Sequence, residues 1–218
     1  MLLMYKKTLH GHLEIICGSM FSGKTEELLR RLRRAQIARQ KIQVFKPKID
    51  NRFSENHVQS HNSSRILSIP VENASEILDK VENNTRVVGI DEAQFFDEEI
   101  VNVAQSLAFR GIHVLVAGLD LDFRGVPFGP MPQLLAVAED VTKLSAVCMV
   151  CGEPASRSQR ITQSVESTSN DQVVVGASDC YEARCRFCHE PETIFISNKQ
   201  QVHFHTVTHE GGNEKNAH

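Results

Sequence analysis

The chain has 218 residues, 41% of them hydrophobic, and a formal net charge of −3. That is enough apolar material for one main core and an appendage, and it supplies no global basic field for a nucleic-acid track. No apolar run approaches the roughly 20 residues of a membrane-spanning helix. The N-terminal Met1-Leu2-Leu3-Met4-Tyr5-Lys6-Lys7 sets apolar residues before charge, the reverse of a secretory leader. The expected location is the cytoplasm, where the six cysteines are metal ligands or free thiols rather than disulfides.

Leu13 to Cys17 reads as a first strand, followed at once by Gly18-Ser19-Met20-Phe21-Ser22-Gly23-Lys24-Thr25, a full G-x-x-x-x-G-K-[ST] loop. Such a loop needs a strand before it and a helix after it, and Thr25 to Arg39 supplies the helix, with Leu28, Leu29, Leu32 and Ala35 on one face. The glycines let backbone N–H groups converge on phosphate oxygens, and the helix N-terminus adds partial positive charge. Lys24 is placed to reach the β- and γ-phosphates and Thr25 to hold Mg²⁺ through its hydroxyl. Nucleoside triphosphate binding follows; the fate of the γ-phosphate does not. Arg30, Arg31, Arg33 and Arg34 lie around the same helix as the apolar stripe and read as a solvated outer face.

Ile42 to Phe45 is a second strand, and residues 46–65 read as a long, mobile polar loop. A short helix spans 74–81. A third strand over 86–90 ends in Asp91-Glu92, the Walker B pattern of an apolar strand closed by an acid that aids Mg²⁺. Glu92 gains nothing from a second metal contact, so it is the candidate general base. A helix over 98–109 and an apolar fourth strand over 114–117 follow. The stretch from Leu119 to Pro130 is rich in Gly and Pro; its Phe123 and Phe128 suit either an apolar slot for a base or simple core anchoring. A fifth strand spans 141–147. Strands alternating with helices predict an α/β domain with a mostly parallel sheet over residues 1–145.

Beyond Val147 the character changes. Cys148-Met149-Val150-Cys151 and Cys185-Arg186-Phe187-Cys188 are two C-x-x-C pairs, and four thiolates from paired knuckles make a closed, structural Zn²⁺ site. The 152–184 segment between them exceeds ordinary zinc-ribbon spacing, and a metal joining its ends lowers the entropy cost of ordering it. His189 is off the knuckle spacing, and Cys17 and Cys180 read as packing residues. Within the segment, Gln172-Val173-Val174-Val175-Gly176 with Tyr181 fits a backbone clamp on a flat ring or a hairpin over the core equally well. Residues 146–200 therefore form a second, smaller unit, with 201–218 a disordered tail.

Two functions fit these motifs: a small-molecule kinase with Glu92 as base, and an ATPase with Glu92 orienting water. The motifs favour the kinase. The sequences G-S-M-F-S-G-K-T, D-E-A-Q-F-F (91–96), G-L-D-L-D-F-R-G-V-P-F-G (118–129), C-M-V-C and Y-E-A-R-C-R-F-C are collinear, and from about 11 to 197 the chain resembles the type II, cellular-type thymidine kinases, the bacterial form most of all. The resemblance implies a P-loop domain with a zinc-containing lasso, and transfer of the γ-phosphate of ATP to the 5′-hydroxyl of thymidine in deoxynucleoside salvage. It implies Glu92 as the base and ATP contacts at Gly18 to Thr25 and at Asp91, Glu92, Ala93 and Gln94, with Mg²⁺ at Thr25 and Asp91. Thymidine contacts would come from Met20, Phe95, Leu119, Phe123, Phe128, Gln172, Val173, Val174, Val175, Gly176 and Tyr181. Zinc would sit on Cys148, Cys151, Cys185 and Cys188. Ser60-His61-Asn62 matches the family's flexible loop, while Ala177-Ser178 and Cys180 depart from its lasso. Family members are homotetramers inhibited by thymidine triphosphate, with no nucleic-acid or membrane partner expected.

Overall fold

Strand β1 (His12–Gly18) alternates between two cores, so each of its side chains serves a defined layer. Leu13, Ile15 and Cys17 face one cluster and Ile16 the other. The computed structural model describes residues 11–48, 57–59, 65–161 and 180–191. Beside β1 lie β2 (Ile42–Pro47), β5 (Ile69–Val71), β6 (Val87–Ile90), β7 (His113–Gly118) and β8 (Asp140–Leu144). They form one six-stranded sheet in the order β5-β2-β6-β7-β1-β8. Every pairing in it is parallel, so the expected mostly parallel sheet is present.

Helix α1 (Lys24–Ile37) buries Leu28, Leu29 and Leu32 against Ile16, Val44, Val87, Leu115 and Ala117. Each fully buried leucine contributes about 1.5–3 kcal/mol. Helices α2 (Ser75–Lys80), α3 (Glu99–Phe109) and α4 (Met131–Val137) contribute to the other cluster, through residues such as Ile77, Ile100, Leu107 and Leu134. A sheet covered on both faces explains why Val87–Ile90 is buried throughout. Arg30, Arg33 and Arg34 point outward as expected. Arg31 does not: it bonds Glu14 on β1, Thr142 on β8 at 2.8 Å and Glu27 at 2.8 Å, fastening the helix to the sheet.

Several elements differ from the sequence reading. The polar 46–65 stretch contains β3 (His57–Gln59), which pairs antiparallel with β4 (Arg65–Leu67); Ser60, His61 and Asn62 lie outside the described residues. The expected strand over 141–147 divides. β8 stays in the sheet, while β9 (Ala146–Val147) leaves to pair with β10 (Pro154–Ala155). Helix α4 follows the Gly/Pro-rich segment and is too short, at 7 residues, for helical periodicity to register. Beyond β10, β11 (Arg157–Arg160) pairs antiparallel with β12 (Tyr181–Arg184). The segment Gln172–Gly176 and the 201–218 tail lie outside the described residues.

The contact of α1 with the sheet turns on Gly89, where an added Cβ would sit 3.1 and 3.2 Å from the two methyls of Leu32. Gly89→Val is expected to overpack this contact and cost about 1–3 kcal/mol. Combining it with Leu32→Ala is expected to cost less than the sum of the two single changes. Chemical denaturation of the four proteins in the cycle measures this, and strict additivity would contradict the packing account.

Candidate active site and cysteine cluster

The carboxyl ends of β1, β6 and β7 lie side by side, since Cys17 pairs with Gly118 and Ile90 with Val116. Ligands of open α/β sheets bind at this edge. Gly18 takes φ +147° there, and an added Cβ would lie 2.4 Å from the Leu144 carbonyl oxygen of β8. Gly23 caps α1 in the left-handed region at φ 84°, and Phe21, without a glycine's freedom, sits at φ 64°. The Ser22 hydroxyl and the Lys24 ammonium both donate to the Ser19 carbonyl oxygen at 2.8 Å, closing the loop on itself. Burial lowers the pKa of Lys24, opposed by the carboxylates of Glu92, Asp91 and Asp120. A phosphate group offers that buried ammonium a better counter-charge than a carbonyl does.

Asp91 ends β6 only 7% exposed. Burial and the neighbouring Glu92 charge push its pKa up to about 7. Its carboxylate accepts from the Glu92 backbone N–H at 3.0 Å and the Thr25 hydroxyl at 3.5 Å. A buried carboxylate facing the loop threonine fits a divalent cation, whose charge would hold the acid ionised. Glu92 takes φ 54°, ψ 40° at the start of a 3₁₀ turn over Ala93–Phe95. A left-handed glutamate is an uncommon backbone state that clusters at functional sites, and here it leaves the side chain exposed at the sheet edge. Its Oε2 accepts from the Gln94 amide at 2.6 Å.

The segment after β7 is organised by a buried acid that sequence reasoning passed over. Asp122, 1% exposed, accepts from the backbone N–H groups of Arg124 and Val126 at 2.9 and 3.0 Å and from the Arg124 guanidinium. Gly125 completes the turn at φ 77°. The loop so formed carries Phe123 beneath the guanidinium of Arg160, 4.2 Å from the ring centroid. At its far end Phe128 meets Phe95 edge-on at 5.5 Å.

The four expected zinc ligands converge. The Sγ atoms of Cys148, Cys151, Cys185 and Cys188 all lie within 4.8 Å of one another, and Cys151 and Cys185 are 3.7 Å apart. Tetrahedral zinc–thiolate bonds of about 2.3 Å require an S···S edge of about 3.8 Å, whereas a disulfide would need about 2.05 Å. The donor set and spacing therefore fit Zn²⁺. The first knuckle turns on Gly152 at φ 78°, with its N–H on the Cys148 carbonyl at 2.9 Å. Met149 N–H reaches Ala183 of β12 at 3.0 Å, and His189 N–H reaches the Cys185 carbonyl at 3.1 Å. His189 itself stays outside the sulfur set. Its Nε2 lies 2.8 Å from the Phe123 carbonyl, so that nitrogen carries the proton. Cys17 is buried in the core, and burial pushes its thiol up to about 11.

The cysteine-held strands also touch the phosphate loop. Ser19 donates through its hydroxyl to the Ala155 carbonyl at 3.1 Å, and the Met20 N–H donates to the Ser158 hydroxyl at 3.0 Å. Ser158 had no signal in sequence, because it lies in a polar stretch without periodicity. The residues implied for thymidine fall into two groups. Phe95, Leu119 and Phe128 gather near Gln94, whose Oε1 accepts from the Leu119 N–H at 2.9 Å. Met20, Phe123 and Tyr181 gather along β11, where Tyr181 pairs with Arg160. Gln172 to Gly176 lie outside the described residues.

Asp91 binds more protons folded than unfolded between its ordinary pKa, near 4, and about 7. Its contribution to stability is therefore full below pH 4 and lost as pH rises through 7. Asp91→Asn is expected to raise the melting temperature of the ligand-free protein at pH 8, with a smaller gain at pH 5, while removing Mg²⁺-dependent nucleotide binding. A variant that melts lower at pH 8 would contradict the buried-charge reading. For the cysteine cluster, metal analysis is expected to find one zinc per chain, with Cys185→Ser both losing zinc and melting earlier. Unchanged zinc in that variant would contradict the four-thiolate site.

Among the described residues no helix is long and apolar enough to cross a membrane. Among solved structures the chain is similar to the Pif1 helicase from Candida albicans, at 16% identity and a TM-score of 0.37, over 62% of this chain and 36% of that one. It thus spans little more than a third of that protein's length. The family model described as thymidine kinase matches residues 11–189. That match takes in the phosphate loop, the Asp91-Glu92 strand end and all four clustered cysteines, and the chain belongs to the thymidine kinase family.

Proposed function

We propose that this chain is an ATP-dependent thymidine kinase, forming thymidine monophosphate in the salvage of pyrimidine deoxynucleosides for DNA synthesis. One observation carries the reading: Glu92, in a left-handed backbone state beside the buried Asp91, stands exposed at the edge where the phosphate loop opens. The loop N–H groups from Gly18 to Thr25 and the Lys24 ammonium bind the phosphates, with Asp91, Glu92, Ala93 and Gln94 bordering the ATP site. Thr25 and Asp91 would hold Mg²⁺, which would offset the negative charge of the phosphates. Glu92 takes the proton of the 5′-hydroxyl as that oxygen bonds to the γ-phosphorus. The bond from the γ-phosphorus to the bridging oxygen breaks, and ADP leaves with the electron pair.

For the nucleoside, the reading uses the two clusters around Gln94 and β11 as the apolar floor. Met20, Phe95, Leu119, Phe123, Phe128 and Tyr181 line it, and the backbone of Gln172, Val173, Val174, Val175 and Gly176 bonds the thymine edge. Residues 1–145 act as the ATP-binding unit, and 146–200 as a lasso anchored by zinc. The β11–β12 pair supports this reading, because it joins the two ends of the 162–179 stretch next to the cysteine cluster. A closed lasso excludes water, which would otherwise take the phosphoryl group. The same reading takes the enzyme as a cytoplasmic homotetramer inhibited by thymidine triphosphate.

A panel of nucleosides incubated with γ-labelled ATP tests the assignment. Label is expected on thymidine in preference to purine nucleosides and ribonucleosides. Release of labelled phosphate at the same rate with and without nucleoside would make the chain an ATPase instead. Glu92→Gln is expected to keep both substrates bound and to lose turnover by roughly 10²-fold or more; near-normal turnover would remove Glu92 as the base.

A further inference from the structure

Gln94 is 3% exposed and makes two hydrogen bonds that join different parts of the site. Its Nε2 donates to Glu92 Oε2 at 2.6 Å, and its Oε1 accepts from the backbone N–H of Leu119 at 2.9 Å. The bond to Leu119 is buried and the bond to Glu92 is part-buried, and the Gln94 side chain is closely surrounded. An added Cβ at Gly118 would lie 2.9 Å from Gln94 Oε1 and 2.7 Å from Met131 Sδ. An added Cβ at Gly129, already at φ 49°, would lie 2.4 Å from the Gln94 carbonyl oxygen. The two glycines that bracket the 118–129 segment are thus the residues that let it close around Gln94. The backbone follows the same logic, since Phe95 N–H on the Glu92 carbonyl at 3.1 Å and Phe96 N–H on Ala93 at 3.2 Å tighten the turn that presents both side chains.

A glutamate on an exposed turn has three side-chain torsions to fix, and among the described residues it is the Gln94 amide that hydrogen-bonds its carboxylate. From this arrangement we infer that Gln94 is a positioning residue. It aims the Glu92 carboxylate and ties that aim to Leu119, at the mouth of the nucleoside pocket, so that one buried amide sets both the base and the acceptor segment. This rests on Glu92 being the base. It gives Gln94 work that a contact with ATP alone would not explain, because its carbonyl is spent on the end of β7 and its amide on Glu92. A carboxylate held by such a donor keeps its geometry when the acceptor hydroxyl arrives, and a misplacement of about 1 Å costs on the order of 10²-fold in rate.

The test uses the zinc-loaded enzyme and a mutant cycle. Gln94→Met keeps the volume and removes both bonds; it is expected to lower kcat by about 10- to 100-fold with little change in KM for ATP or thymidine. Gln94→Glu keeps an acceptor for the Leu119 N–H but faces Glu92 with an acceptor, and the same kcat loss is expected. That variant serves alone if the methionine protein does not fold. In the Glu92→Gln background either change is expected to add no further loss, because no base remains to be aimed. A raised KM for ATP with unchanged kcat would leave Gln94 only its place beside the nucleotide and overturn the inference. Losses that multiply in the double variant would also overturn it, by showing a general structural role. Wild-type turnover in Glu92→Gln itself would instead remove the base on which the inference rests.

Discussion

Parallel pairing of β1, β7 and β6 is the constraint from which the rest of the site follows. Parallel strands cannot be joined by tight hairpins, so each is reached by a crossover that begins at the carboxyl edge. Three crossovers start next to one another here: the phosphate loop after Gly18, the Asp91-Glu92 turn after Ile90 and the Leu119 segment after Gly118. The first leads directly into the N-terminus of α1, where unpaired N–H groups and the helix dipole favour an anion. The second brings two carboxylates to the same edge. Opposite charges are collected by topology before any ligand arrives.

That collection is costly in the free protein. Asp91 is held so far from water that its pKa rises to about 7, and burial pulls Lys24 down even with three carboxylates near it. Among the described residues, Lys24 bonds only a neutral carbonyl and Asp91 only a hydroxyl and a backbone N–H, so a phosphate would suit the one and a cation the other. The strain is backbone as well as charge, since Phe21 and Glu92 both occupy the left-handed region without being glycine. Such local costs persist only where the surroundings hold them. The sheet does so from below, and the cysteine-held strands do so from above, through Ser158 on the Met20 N–H and Ala155 on the Ser19 hydroxyl. The phosphate loop is therefore shared between the two parts of the chain. The strands beside the four-cysteine cluster thus touch the loop directly, through Ala155 and Ser158.

Much of this was legible in residues because the relevant physics is local. A glycine-rich loop between an apolar strand and a leucine stripe, an apolar strand ending in two acids, and two C-x-x-C pairs each carry their chemistry in consecutive positions. What stayed hidden depends on partners distant in sequence. Arg31 looked like one of four surface arginines until Glu14 and Thr142 came up beneath it. Asp122 and Gln94 are polar residues in apolar surroundings, and only the fold shows which backbone groups they satisfy. Ser158 lies in a stretch with no period at all, and β11 exists because β12, across the cysteine cluster, pairs with it. Base recognition by backbone groups would leave no side-chain pattern in any case, which is why family resemblance, rather than periodicity, named the nucleoside.

The central claim is geometric: one sheet edge holds the phosphates over Lys24 and the acceptor hydroxyl against Glu92. A crystal structure with Mg²⁺, thymidine and a non-hydrolysable ATP analogue measures it directly. The account predicts that Lys24 Nζ has left the Ser19 carbonyl for a phosphate oxygen, and that the thymidine 5′-oxygen lies within hydrogen-bond reach of a Glu92 carboxylate oxygen still bonded to Gln94. A nucleoside bound away from that edge, or a water on Glu92 in line with the γ-phosphorus while thymidine occupies its pocket, would contradict it.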